Sequence, residues 1–178
     1  MTIYVIEADG SYVGGFSEGA NADAALAVQG RTAVQNPPSA ASAKWNGTAW
    51  VDDIAVLIDI RRSEVDALLL AKSVAGVKIP NVPAPIQVRD GDRANIDGQA
   101  LFATLAKSGA PQWPADSYWR LADNSNFPLA TADAMIGFAA AIAGAYLALR
   151  KASWTHKDAI AALKTAADVA AYDITAGW

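Results

Sequence analysis

The run Ala134–Leu149, AMIGFAAAIAGAYLAL, carries no charge between Asp133 and Arg150. A stretch of that kind constrains the chain more than any other, because its backbone must satisfy its own hydrogen bonds and its apolar sides must be covered. A bilayer could cover it, but a span takes roughly 20 strongly apolar residues, and this run is shorter and made mostly of Ala and Gly. Thr131 and Asp133 stand where helix-start signals belong. The expectation is a buried central helix in a helical domain, with no membrane span.

Other helices should surround it. Asp90 or Asp92 can cap a helix from about Arg93 to Lys107 with Ile96, Ala100, Leu101, Phe102 and Leu105 toward the core, stopped by Gly109. The central helix should reach about Lys151, with Ser153 or Thr155 capping the next one. Thr165 with Asp168 has capping-box spacing for a last short helix, Ala166 to Tyr172. Earlier, Val51 to Gly76 can form a helix with Ile54, Ile58, Val65, Leu68, Leu69 and Lys72 along one side, although IAVLIDI also alternates as a strand would. A helix start that is apolar on more than one side wants more than one partner. Ile54, Ile58, Val65, Leu68 and Leu69 are therefore candidate oligomerisation residues, with packing inside the chain as the plainer reading. KIPNVPAPIQVRDGD reads as a proline-spaced extended linker. SGAPQWPADSYWRLADNSNFPLA reads as an irregular loop whose Trp113, Tyr118, Trp119 and Phe127 roof the helical core.

The first part of the chain is different. TIYVIEADGSYVGGF shows two apolar-aromatic runs split by Asp9-Gly10, a hairpin signal. Asn21 can cap a short helix to Gln29, and Arg31–Gln35 turns extended before NPPSAAS breaks the chain. AKWNGTAWV then places a tryptophan on each side of Asn46-Gly47. A two-residue turn there would oppose Trp45 to Thr48 and Ala43 to Trp50, leaving the indoles as a diagonal pair on one face. The fold class is therefore α+β: a β-rich docking head over 1–51 and a mainly helical domain over 52–178. A head of about 50 residues is marginal alone, so it should lean on something; the Trp45/Trp50 face is the natural contact, with Trp113 and Trp119 as further candidate partner-docking residues.

Composition narrows the chemistry. The 178 residues carry a net charge of −4 and no cysteine. There is no basic block to mark a nucleic-acid partner, and thiolate metal sites are excluded. The N-terminus MTIYVIEADG lacks the basic start and apolar run of a secretory signal, so the expectation is synthesis in the cytoplasm. A single histidine, His156, excludes histidine triads and multi-histidine metal sites, and it is expected at the surface. Asp90 and Asp92 have the spacing that opens a calcium loop, but Ala94, Asn95 and Leu101 occupy its later positions. No Gly-rich phosphate loop, nucleophile elbow or zinc signature is present. The expectation is no catalytic residues, no metal, no cofactor and no enzyme.

A likeness runs through the helical part: Val88-Arg89-Asp90 to Ile96, Trp119, Ala122-Asp123-Asn124, Leu129-Ala130-Thr131-Ala132-Asp133, and Arg150 after the long helix. In this order these residues resemble an uncharacterised helical domain at the C-terminal end of small bacteriophage tail fibre and tail fibre assembly proteins, over roughly 52–178. The Pro-Pro stretch followed by WNGTAWV is similar to the heads of such proteins. Where that family usually has a hydroxyl residue after the helix-start Asp, this chain has Ala94 and Asn95, and Asp92 can cap instead. The resemblance implies a noncatalytic protein of the virion tail, made in the host bacterium, that docks on a fibre or on a tail or baseplate protein. A long helix with a secondary apolar face leans toward a homo-oligomer, and because phage fibres are typically threefold a trimer is favoured over a dimer. The alternative is a carbohydrate-binding module in which Trp45, Trp50, Trp113 and Trp119 offer stacking faces to a host-surface glycan.

Overall fold

The computed structural model describes residues 1–40, 42–109 and 111–178, so Ala41 of the NPPSAAS break and Ala110 of the aromatic loop lie outside the described residues. The architecture is α+β, with small sheets first and a mainly helical remainder. The described residues divide into two compact units, Met1–Arg61 with Ile160–Tyr172, and Arg62–Ala159 with Asp173–Trp178.

In the first unit, β1 (Thr2–Ile6) and β2 (Tyr12–Ser17) form the expected antiparallel hairpin, and β3 (Thr32–Val34) adds to the free edge of β1, giving the order β2-β1-β3. Val5 and Ile6 are the buried residues of β1. The short helix α1 (Ala20–Leu26) starts earlier than Asn21 could cap it; Gly19 is its N-cap, at φ 133, and Ala22 and Ala25 are its buried residues. β4 (Ala43–Trp45) and β5 (Trp50–Asp52) form the second hairpin. Its register differs from the expected one, because Trp45 pairs with Trp50 and Ala43 with Asp52. The Asn46 carboxamide oxygen accepts the N–H groups of Thr48 (3.0 Å) and Ala49 (2.9 Å), and Asn46 N–H closes on Ala49 O at 3.1 Å. That side-chain bond makes Asn46–Ala49 the loop and shifts the pairing by two residues, so the indoles are direct rather than diagonal partners.

Between the sheets and the tail, α2 (Ile54–Ala75) settles the helix-or-strand ambiguity in favour of a helix. The segment expected as a linker is core: Val77, Ile79, Ala84, Ile86 and Val88 are all buried. Val77 and Ile86 exchange both backbone hydrogen bonds, at 2.8 and 2.9 Å, and Val88 N–H donates to Ser73 O at 3.0 Å. The prolines stand between these positions, where their missing N–H groups cost nothing. Gly76, at φ 93, turns the chain here, and a Cβ on it would lie 2.7 Å from Ile86 O.

α3 (Asp90–Lys107) begins at Asp90, three residues before the expected Arg93, because the Asp92 carboxylate accepts the Arg89 N–H at 3.1 Å and closes the first turn. Ile96 and Ala103 are its buried residues, whereas Leu101 and Leu105, expected inward, are 62% and 49% exposed. The aromatic loop holds a hairpin, β6 (Tyr118–Arg120) with β7 (Asn126–Pro128). Trp113, Trp119 and Phe127 pack on the core built from Ile86, Val88, Ile96, Leu129, Phe138 and their neighbours.

α4 (Ala132–Ala161) runs unbroken for 30 residues, where a break near Ser153 or Thr155 was expected. No Gly or Pro interrupts that region, and Ser153 is simply a small buried residue on the inner side. The helix is long and apolar enough, by length and composition, to cross a membrane, and 22% of its most apolar window is buried. Met135, Phe138 and Ile142 supply the buried side. α5 (Ala166–Ala171) follows Thr165, whose hydroxyl oxygen accepts the Asp168 N–H at 3.1 Å, as the cap spacing required.

Candidate functional site

Two surfaces stand out, one in each unit. In the first, Trp45 and Trp50 meet edge to face at 5.6 Å and 67°, and Tyr12 of β2 meets Trp50 at 5.8 Å and 86°. This geometry places the positive edge of one ring against the negative face of the next. The Trp50 Nε1–H donates to Asn36 O at 2.8 Å, which fixes the ring. Both indoles are half-buried, and Tyr12 is exposed.

The turn between β1 and β2 braces this cluster. Gly10 O accepts the Trp45 N–H at 2.9 Å, and a Cβ on Gly10 would fall 2.0 Å from Trp45 O. Beside it the Asp9 carboxylate accepts the Ser11 N–H (2.9 Å) and hydroxyl (3.0 Å) and pairs with Lys44 at 3.3 Å. The Ser11 backbone bond, then the Ser11 hydroxyl and Lys44, hold the Asp9 carboxyl below its ordinary range. Glu7 similarly takes the Arg31 guanidinium at 2.8 Å.

Trp113 and Trp119 belong to the second unit and serve its core. Trp113 meets Phe102 at 5.3 Å with the rings tilted by 40° and donates its Nε1–H to Leu129 O at 2.8 Å, while Trp119 meets Phe138 at 6.0 Å. The structure therefore brings Trp45 and Trp50 together and gives Trp113 and Trp119 a separate packing role. Of the five apolar residues singled out on α2, Val65 is fully buried and Ile54, Ile58, Leu68 and Leu69 are half-buried. The exposed apolar residues of that helix are Val56, Ile60, Leu70 and Val74.

The second surface was not anticipated. An open groove of about 420 Å³ lies between α3 and α4, lined by the buried Ile96 and Ile142 and by Ala139, Ala143, Tyr146, Leu147 and Trp154. Arg93 lies over the Tyr146 ring at 4.2 Å while bonding Val88 O (2.7 Å) and Asp90 (2.6 Å). Arg150 lies over the Trp154 ring at 5.2 Å. The signal was present in the uncharged α4 run, which continues past its buried side.

His156, expected at the surface, is buried. The tail folds back over it: its Nε2 is 2.8 Å from Ala176 O, and the Trp178 ring stacks on it at 5.4 Å. Asp92 is drawn below the usual carboxylate range by the Arg89 guanidinium, and Asp123 by the Ser125 hydroxyl and N–H, so both shifted acids are explained by a helix start and a turn. Among the described residues no group of three or more His, Cys, Asp or Glu side chains is placed to hold a metal ion.

The chain matches no curated protein and no solved structure. One family does match, over residues 57–176, from the start of α2 through the tail and without the Trp hairpin. The chain belongs to that family, which is described as a domain of unknown function (DUF4376).

Proposed function

We propose that this is a noncatalytic protein associated with the tail fibre of a bacteriophage, acting by protein docking and self-association, as a tail component or a fibre assembly factor. The reading rests on the resemblance of the helical residues, from Val88 to Arg150, to the C-terminal domain of small tail fibre proteins. The observation that carries the docking part is the Tyr12/Trp45/Trp50 cluster. Tyr and Trp dominate the anchoring positions of protein interfaces, because they bring large rigid area at low entropic cost. The rings are ordered in advance by the Trp50–Asn36 bond and the Gly10–Trp45 bond, which lowers the ordering cost of binding. The partner is a fibre, tail or baseplate protein, and the site of action is the virion tail or the host cytoplasm where fibres assemble.

The glycan reading retains only the head indoles, since Trp113 and Trp119 pack against the helical core. Its discriminating observation is tryptophan fluorescence that responds to host-surface sugars and not to fibre protein. The test of the main reading is genetic. A phage lacking this gene should yield particles with missing or unattached fibres; normally fibred, adsorbing particles overturn the proposal.

A further inference from the structure

We infer that the α3/α4 groove is a two-fold self-association surface, closed by the same groove of a second copy. The inference deepens the self-association part of the function above, and it stands on the helical unit alone.

The first observation is uncovered apolar surface on well-defined helices. α4 is apolar over most of its length, and 22% of its most apolar stretch is buried. Leu147 and Trp154 on its outer side are 45% and 46% exposed, and Leu101 on α3 is 62% exposed. A soluble helix this apolar should be covered on more than one side. Ala139 and Ala143 are small residues lining the groove and leave room for another helix to approach closely.

The second observation is charge. Asp97 on the α3 wall and Arg150 on the α4 wall both line the groove. Among the described residues neither takes part in an ion pair, although both border one groove. The Arg150 guanidinium lies over the Trp154 ring. A two-fold axis through the groove sets Asp97 of each copy against Arg150 of the other, twice, with the apolar lining between them. That self-complementarity is what an isologous interface requires. A lipid acyl chain leaves both charges unpaired in an apolar medium, which is costly. A head-to-tail threefold contact does not set the groove against itself, so this face is dimeric, in contrast to the trimer suggested by fibre symmetry.

The experiment is sedimentation equilibrium of the full chain and its charge variants at tens of micromolar protein. The wild-type chain should sediment at twice its 18.5 kDa mass. Asp97→Arg alone and Arg150→Asp alone should each weaken dimerisation tenfold or more, since each creates two like-charge contacts. An equimolar mixture of these two variants should recover the dimer as a 1:1 heterodimer, and so should the double variant. Recovery in the mixture also shows that both single variants are folded. A wild-type monomer, a trimer, or a dimer indifferent to both swaps overturns the inference. So does wild-type chain that is monomeric in buffer and binds phosphatidylglycerol vesicles through α4. Loss of fibre binding with an intact dimer would bear on the head alone and leave this surface standing.

Discussion

Gly10 is the residue on which the Tyr12/Trp45/Trp50 cluster turns. Its φ of 89 lies where a Cβ is disfavoured, and a Cβ there would sit 2.0 Å from Trp45 O. Gly10→Ala should therefore incur about 1–2 kcal/mol of backbone strain. It should also push the β1–β2 turn away from β4, removing the Trp45 N–H bond to Gly10 O and about 1 kcal/mol with it. The exposed Asp9–Lys44 pair would part as well, at small further cost. The sum is roughly 2–3 kcal/mol. Gly47→Ala is the control. Its φ is 101, but nothing lies within 4 Å of a Cβ there, so it should cost about 1–2 kcal/mol from strain alone. Native-state hydrogen exchange at the Trp45 amide and the Trp50 indole reads the head separately from the helices. The reasoning predicts faster exchange at both probes in Gly10→Ala than in Gly47→Ala. Equal exchange in the two variants would refute the claim that the turn braces the tryptophan hairpin.

Ile86, in the proline-spaced segment, is fully buried, so Ile86→Ala should lower the stability of the helical unit by about 2–5 kcal/mol in denaturant unfolding; a loss under about 0.5 kcal/mol would mean that the segment is a linker after all. The Asp9 carboxyl is held below its ordinary value of 3.8 by its folded-state hydrogen bonds. Its contribution is therefore present above that value and is lost as the pH falls through the lower folded value. Asp9→Asn should flatten the acid end of the head's stability profile, and an unchanged profile in the variant would remove Asp9 from the account. Trp178→Ala should uncover His156, seen as a shift of its ring protons and faster solvent access; an unchanged histidine spectrum would contradict the stacked tail.

Much of the fold was legible because its signals are local. The Asp9-Gly10 hairpin, the Thr165 cap and the apolar run of α4 each depend on residues within a few positions of one another. What sequence reasoning missed was decided by side chains acting on the backbone, or by contacts between distant residues. Asn46 looked like half of a two-residue turn, but its carboxamide bonds to Thr48 and Ala49 lengthened the loop and set Trp45 opposite Trp50. Prolines made Val77–Val88 look like a spacer, while the residues between them alternate into the core. Ser153 and Thr155 have cap chemistry, yet α4 has no Gly or Pro between Ala145 and Ala161 and so no reason to stop there. His156 is covered by Trp178, a contact no periodicity announces. Leu101 and Leu105 were read as core because they are apolar. Their side of α3 faces outward.

The most direct test of the central claim is a calorimetric titration of the full chain into the tail fibre protein of the same phage, with Trp45→Ala/Trp50→Ala as the comparison. The account predicts saturable binding by the wild-type chain and at least tenfold weaker binding by the folded double variant. No heat from the wild-type chain, or equal affinity from both, would contradict it.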